Sequence, residues 1–189
     1  MDWIEPIKKY ISCNEQEEKD KAFIIRCFEL FDDILTRNNE IAHITSSAFA
    51  VNKNKDKVLM VWHNIYKSWS WTGGHADGDG DLLRVAIREA GEETGVKNIF
   101  SLSKDILSLD VIPVPGHTKK GRYVCPHLHL SAAYLVEADE DEPLVVKPDE
   151  NSRVGWIPVR EIDKYSSEPH MITIYKKIIS KILSPHNIQ

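Results

Sequence analysis

Glu89, Glu92 and Glu93 crowd into five residues of the stretch "REAGEETGV". Residues three and four apart share one face of a helix, so on a helix these carboxylates project together. Like charges at that spacing cost about 0.2–0.5 kcal/mol per pair, and a helix C-terminus is the wrong end for anions. One reading is a solvated acidic face. The other is a hard-cation site, because Mg²⁺ or Mn²⁺ takes oxygen ligands, commonly one or two carboxylates plus the phosphates of a substrate. The preceding stretch, "WTGGHADGDGD", favours the second reading. Gly73 and Gly74 let a backbone carbonyl approach a metal or substrate closely. Arg88, beside Glu89, is a fixed cation able to orient a carboxylate.

The elements that must position these groups are legible as periodicities. Asp81 to Thr94 reads as a helix with Leu83, Ala86, Ile87 and Ala90 as its apolar stripe, the glutamates beside that stripe, and Gly95 as its stop. Before it, "HITSSAFAV" and "KVLMVWH" read as strands joined by the turn "NKNKD". After it come "ILSLDVIPV", then "YVCPHLHLSAAYLVEA", with His127, His129 and Ser131 on one face and Leu128, Leu130 and Ala132 on the other. "EADEDEP" is a charged turn and "RVGWIPV" a late strand. "EPHMITIYKKIISKILS" closes the chain as an amphipathic helix, with Ile174, Ile178 and Ile182 four apart. Residues 1–40 read as helical, with Ile24, Cys27, Phe28, Phe31 and Leu35 at helical spacing. Strands interleaved with helices predict an α/β (α+β) domain with a mixed sheet. The expected division is an N-terminal helical extension over 1–40 and a domain over 41–189 that includes the C-terminal helix.

The bulk properties bound the partners. A chain of 189 residues, 42% hydrophobic and 28% charged, has a soluble globular composition. A net charge of −5 disfavours nucleic-acid polymers and anionic membranes. A phosphate-bearing ligand therefore needs a local cation, and a divalent metal supplies one. Cys13, Cys27 and Cys125 show no CxxC spacing, and no apolar stretch approaches the roughly 20 residues of a membrane helix. A cytoplasmic protein with reduced thiols is expected.

The glycine loop and carboxylate helix together resemble the signature of the Nudix (MutT-like) hydrolases, G-x5-E-x7-R-E-U-x-E-E-x-G-U, with U aliphatic. Gly74, Arg88, Glu89, Ala90, Glu92, Glu93, Gly95 and Val96 stand at the required spacing. The resemblance extends to the surrounding strands over roughly 42–165 and leaves the N-terminal helix outside. It implies an α/β/α sandwich around a mixed sheet. It also implies Mg²⁺- or Mn²⁺-dependent hydrolysis of a nucleoside diphosphate linked to another group. On that resemblance Glu92 and Glu93 are the principal metal ligands, and Glu89 is a further ligand or the group that activates water. Arg88 orients the glutamates, and the Gly74 carbonyl faces the metal. Glu150, in "PDENSRV", is a candidate additional base or ligand from outside the signature, against a solvated turn residue.

One position departs. The signature asks for glutamate where this chain has Gly80. In the family that residue buttresses the loop and pairs with the signature arginine, so Arg88 is expected to lose a partner and the loop to loosen, unless Asp79 or Asp81 reaches in. The alternative function is therefore a catalytically impaired nucleotide-binding or regulatory module on the same fold. Isoprenoid diphosphate isomerase chemistry, which uses a site cysteine, is a third reading, for which Cys125 alone lies in the matching region.

Among other residues, Trp69 and Trp71 are candidates to stack on a substrate ring, against core packing. Lys119, Lys120 and Arg122 form a short basic cluster, with Arg122 a candidate phosphate contact, against an exposed loop. Cys125, His127 and His129 alternate along one strand as conceivable soft ligands, but pocket lining is the better reading. The N-terminal helix has three uses open to it: packing on its own domain, capping the pocket, or forming the face of a homodimer, which is the expectation carried forward.

Overall fold

Side chains alternating between the two faces of one strand divide the molecule into layers. In the computed structural model, which describes residues 3–119 and 121–183, strand β1 (Ala42–Val51) is buried at every position. Successive side chains point to opposite faces of a strand. Ala42, Ile44, Ala48 and Ala50 enter one core and Phe49 and Val51 the other. β1 runs parallel to β9 (His127–Ala138) along its whole length, from Ala42 opposite Leu128 to Val51 opposite Glu137. It is antiparallel to β2 (Lys57–His63) and β4 (Thr72–His75). The main sheet has the order β10 (Asn151–Pro158), β2, β1, β9, β5 (Ile99–Ser101), with β3 (Ser68–Ser70) on β2, β4 on β1 and β6 (Ser108–Val114) on β9. β7 (His117–Lys119) and β8 (Arg122–Val124) form a separate hairpin. A parallel central pair among antiparallel neighbours makes the sheet mixed, as the sequence predicts.

One face carries α3 (Leu82–Thr94) together with α1 (Glu5–Lys9) and α2 (Glu15–Leu30); the other carries α4 (Ile162–Tyr165) and α5 (Pro169–Leu183). The Asp81 carboxylate caps α3 by accepting the Arg84 N–H, and Gly95 ends it in the left-handed region at φ 79°. The buried face of α3 differs from the expected stripe. Leu82, Val85, Ala86 and Ala90 are buried, Leu83 and Ile87 only partly, and Glu93 lies in the buried face rather than beside it. The rotation of α3 is fixed where the Ser46 hydroxyl of β1 donates to the Leu82 carbonyl at 2.6 Å.

The N-terminal segment corrects a second expectation. Residues 1–40 are not continuously helical. α2 stops at Leu30 and Phe31 is extended. No basic residue occupies the last turn of α2, and Asp32 and Asp33 place negative charge beyond it. The Ile34 carbonyl already accepts the Ile44 N–H of β1 at 2.9 Å, so the chain beyond α2 is committed to the sheet. Ile4, Ile7, Ile24 and Cys27 share the core of α3 and β1, so the N-terminal helices pack on their own domain.

A buried charge network ties α2 to the far helix. Glu17 is fully buried, accepting from the Cys13 N–H at 2.9 Å, the Tyr10 hydroxyl at 2.7 Å and Lys181 Nζ at 2.6 Å, with Lys177 at 3.1 Å. Burial pushes this carboxyl up, but the Cys13, Lys181 and Tyr10 hydrogen bonds outweigh it and hold the pKa at about 2. Among the described residues no helix is long and apolar enough to cross a membrane.

Candidate active site

A cavity of about 370 Å³ opens between the polar end of the central strands and the N-terminus of α5. The odd-numbered face of β1 changes character along its length, apolar at Phe49 and Val51 and polar at His43, Thr45 and Ser47. Thr45, Ser47, His129 and Ser131 line the cavity from β1 and β9, and Gly73 and Gly74 from β4. Glu89, Glu92 and Glu93 enter from α3, and Lys147 and Glu150 from the segment before β10. Ile65, Tyr66, Trp71, Ile112 and Met171 give another part of the wall an apolar and aromatic character.

Each carboxylate has a distinct environment. Glu93 is 6% exposed, and one of its oxygens accepts the Gly73 N–H at 3.0 Å. Burial pushes its pKa up to about 8, against that hydrogen bond, with the negative charges of Glu150 and Glu89 adding to the rise. Glu89 lies against the backbone of Gly74, where an added Cβ would stand 2.5 Å from Oε2, so position 74 admits no side chain while Glu89 keeps this place. Arg88 donates to Glu89 at 2.9 Å and stands 3.8 Å from Glu92. Lys147 Nζ sits 3.7 Å from Glu92 and 3.0 Å from Glu150.

Gly80 has a steric explanation. A Cβ built there would lie 3.0 Å from the Cβ of Trp3, whose ring packs edge-on against Phe28 of α2. The buttress expected from a glutamate comes instead from the N-terminal segment. Arg37 binds Asp77 through two bonds of 2.8 and 2.7 Å, and the Gly78 N–H donates to the Leu35 carbonyl at 2.9 Å. Asp79 accepts from Arg84 at 2.7 Å and stands 3.8 Å from Arg88, so Arg88 keeps acidic partners and the loop is tied down. Gly80→Glu is therefore expected to leave kcat unchanged and to cost about 1–3 kcal/mol of stability through overpacking, with Trp3→Ala in the same chain recovering much of that loss. Parallel urea melts and rate assays check this. A 10–100-fold rise in kcat, the size of a restored supporting residue, would show that the site lacks its glutamate.

The donor set fits a hard divalent cation. Carboxylates of Glu89, Glu92, Glu93 and Glu150 and the backbone of Gly74 meet one cavity, all oxygen donors of the kind Mg²⁺ and Mn²⁺ take. The Cβ-free approach at Gly74 brings one of these carboxylates against the backbone that would share the ion.

Of the other predicted residues, Trp71 lines the cavity, 9% exposed, its backbone N–H donating to the Tyr175 hydroxyl at 3.1 Å. Trp69 lies outside the cavity lining and packs against Trp62 and Tyr165 at centroid distances of 6.0 and 6.5 Å. Arg122 is exposed on the β7–β8 hairpin, also away from the lining. Lys120 lies outside the described residues. Cys125 is exposed, while His129 joins His43 and His75 in a cluster. The sequence reading missed Lys147, Arg37, Tyr66, His43 and His75. Polar residues at positions 43, 45 and 47 of a strand whose other positions, Ser46 apart, are Ala, Ile, Phe and Val are the signal that marks His43, Thr45 and Ser47.

The geometry agrees with what the chain is similar to. The family model of the NUDIX domain matches residues 42–178. A probable DHNTP pyrophosphohydrolase of Lactococcus lactis subsp. cremoris (strain MG1363) is 29% identical over 143 residues, spanning 75% of this chain and 81% of that protein. An Ap4A hydrolase from C. elegans, in a binary complex, has a TM-score of 0.54 at 16% identity, covering 75% of this chain and 98% of its own. A NUDIX-family hydrolase from Clostridium perfringens has a TM-score of 0.53 at 19% identity, covering 74% of this chain and 97% of its own. The two structural likenesses show the fold, and the family match covers most of the chain, including the glycine loop, α3 and the strands beneath the cavity. The chain belongs to the NUDIX domain family and is a Nudix hydrolase.

Proposed function

We propose that the protein is a Mg²⁺- or Mn²⁺-dependent pyrophosphohydrolase that cleaves the phosphoanhydride bond of a nucleoside diphosphate linked to another group. The observation that carries this reading is that Glu89, Glu92, Glu93 and Glu150 line one cavity together with an aromatic wall. Glu89, Glu92, Glu93 and the Gly74 carbonyl would hold the metal. When bound, the metal neutralises charge developing on the phosphate oxygens. Arg88 fixes the orientation of Glu89, and Lys147 presents an ammonium group to the phosphate chain. Glu150, which lines the cavity from outside α3, is the candidate to take the proton of the attacking water. Trp71 and Tyr66 offer apolar surface to a heterocycle. The place of Asp79 beside Arg88 supports an active enzyme over the binding module that Gly80 suggested.

The substrate panel follows from this chemistry and from the name of the Lactococcus relative: DHNTP, nucleoside triphosphates, dinucleoside polyphosphates and nucleotide sugars, each with Mg²⁺ and with Mn²⁺. Metal-dependent turnover of one class is the expected result, lost in the Glu92→Gln/Glu93→Gln double variant. Nucleotide binding without turnover on any member would support the module. Three free thiols fit a reducing cytoplasmic setting. The N-terminal extension belongs to this reading as a brace for the loop at 77–80. A homodimer through the outer side of α2, where Phe23 and Leu30 remain exposed, is read by light scattering.

A further inference from the structure

Imidazoles meet where β1, β4 and β9 lie side by side. His43 and His129 are register partners across the parallel pair, and His75 ends β4 opposite Thr45, which shares the sheet face of His43. One ring nitrogen from each of His43, His75 and His129 lies within 4.8 Å of the other two. The ring centroids are 4.9 Å apart for His43 and His75, and 5.1 Å for each of the other two pairs. His127 adds a fourth ring, 4.9 Å from His43 and 5.2 Å from His129.

Two ring nitrogens of this cluster are left open to a ligand. Nε2 of His43 and Nε2 of His129 are both buried with no hydrogen-bond partner among the described residues. Leaving such an atom unpaired costs about 1–3 kcal/mol, and buried polar atoms are nearly always satisfied. His43, only 4% exposed, also has a defined tautomer. Its Nδ1 is 2.9 Å from the Asn39 carbonyl, which only accepts, so Nδ1 carries the proton and Nε2 the lone pair. His127 is set the same way by the Cys125 carbonyl, 2.8 Å from its Nδ1. A ring whose Nδ1 donates to a carbonyl keeps Nε2 as a lone-pair donor, the state in which metal-binding histidines are held.

We propose that His43, His75 and His129 form a binding site for a transition-metal ion of the Zn²⁺ class, with the His127 ring beside two of them. Nitrogen donors select Zn²⁺, Co²⁺ or Ni²⁺ over Mg²⁺, so this site differs in donor chemistry from the carboxylates of α3. Zn–N bonds of about 2.0–2.1 Å set tetrahedral ligand nitrogens roughly 3.4 Å apart, so the rings close by side-chain rotation with the strand register unchanged. His75 and His129 also line the cavity, so the ion faces the space open to substrate while His43 anchors it from behind. The inference does not depend on the hydrolase reading, since metal binding is read without substrate.

The test is a Co²⁺ titration of the metal-free full chain in excess Mg²⁺, followed by visible absorption, in which four-coordinate nitrogen-bound Co²⁺ absorbs far more strongly than the aquo ion. The expected result is an intense band saturating at a single equivalent and displaced by Zn²⁺. It should be lost in His129→Gln and in His75→Asn and retained in Glu92→Gln. Both histidines stand at the cavity wall, which spares the buried His43, and circular dichroism in EDTA checks that each variant folds. Absence of the band in the wild type overturns the proposal, as does a band that survives both histidine variants or disappears only with Glu92. Inorganic phosphate binding to the metal-free protein that vanishes in His129→Gln, without any Co²⁺ band, also overturns it and makes the cluster an anion site.

Discussion

Glu93→Gln is expected to lower kcat by about 10³-fold, the loss of several kcal/mol of metal-based stabilisation, while making the metal-free protein more stable at pH 8. Both effects come from one carboxylate. Glu93 is placed in the buried face of α3, where its carboxylate accepts the Gly73 N–H. A glutamine oxygen accepts the same bond at nearly the same volume, so the variant keeps its packing. It loses the charge that a divalent cation would engage. The sign of the stability effect follows from linkage. The folded pKa of about 8 lies above the ordinary value of 4.5, so the unfolded chain ionises first. Wild-type stability in EDTA therefore falls as pH rises from about 4.5 to about 8, whereas the variant lacks this decline. The gain from Glu93→Gln should be absent below pH 4.5 and full above pH 8, as read by thermal melts across that range. A variant that loses both activity and stability at every pH would mean that the side chain serves packing.

Glu17→Gln should be the most damaging single change outside the cavity, costing about 3–5 kcal/mol, the usual result of removing one member of a buried ion pair. Lys181 and Lys177, 8% and 9% exposed in their side chains, would face an amide in place of a carboxylate. Lys177 keeps Asp110 of β6, but Lys181 keeps only the neutral Tyr10 hydroxyl and the Leu107 carbonyl. The groups facing Glu17 are Tyr10 and Cys13 before α2, Lys177 and Lys181 from α5, and Ser108 of β6, which hydrogen-bonds both Glu17 and Asp110. Here the linkage has the opposite sign to that of Glu93. The folded pKa of about 2 lies below 4.5, so the stabilisation is complete above pH 4.5 and is lost as pH falls towards 2. Urea midpoints of the wild type should fall through that window, with the variant changing less. Equal midpoints for the two proteins at pH 7 would show that the network contributes nothing net.

What was legible in the sequence was local. The three glutamates, the cap at Asp81, the stop at Gly95 and the alternation of β1 and β9 are all written in spacings of two to four residues, which report one element at a time. The misreadings came where a distant segment decides. Spacing alone sets Glu93 beside the stripe of Leu83, Ala86, Ile87 and Ala90, whereas in the fold it is buried where the Gly73 N–H of β4 reaches it. Gly80 looked like a gap because its neighbour Trp3 lies far away along the chain, as do Arg37 and Asp77 from one another. Trp69 and Trp71 looked equivalent, yet the chain passes from pairing with β2 to pairing with β1 between Ser70 and Thr72, and Trp71 sits at that switch. The histidine cluster is assembled from three strands, and only His127 and His129 could be seen together.

Divalent-cation binding in the cavity is expected to rest on the carboxylates of α3. The most direct test is Mn²⁺ binding to the full chain, read from the loss of the free-ion signal in electron paramagnetic resonance, with wild type, Glu92→Gln/Glu93→Gln and His129→Gln side by side. Saturable binding in the wild type and in His129→Gln, abolished in the double glutamate variant, is the predicted result. Binding that is undiminished in a folded double glutamate variant would contradict the claim.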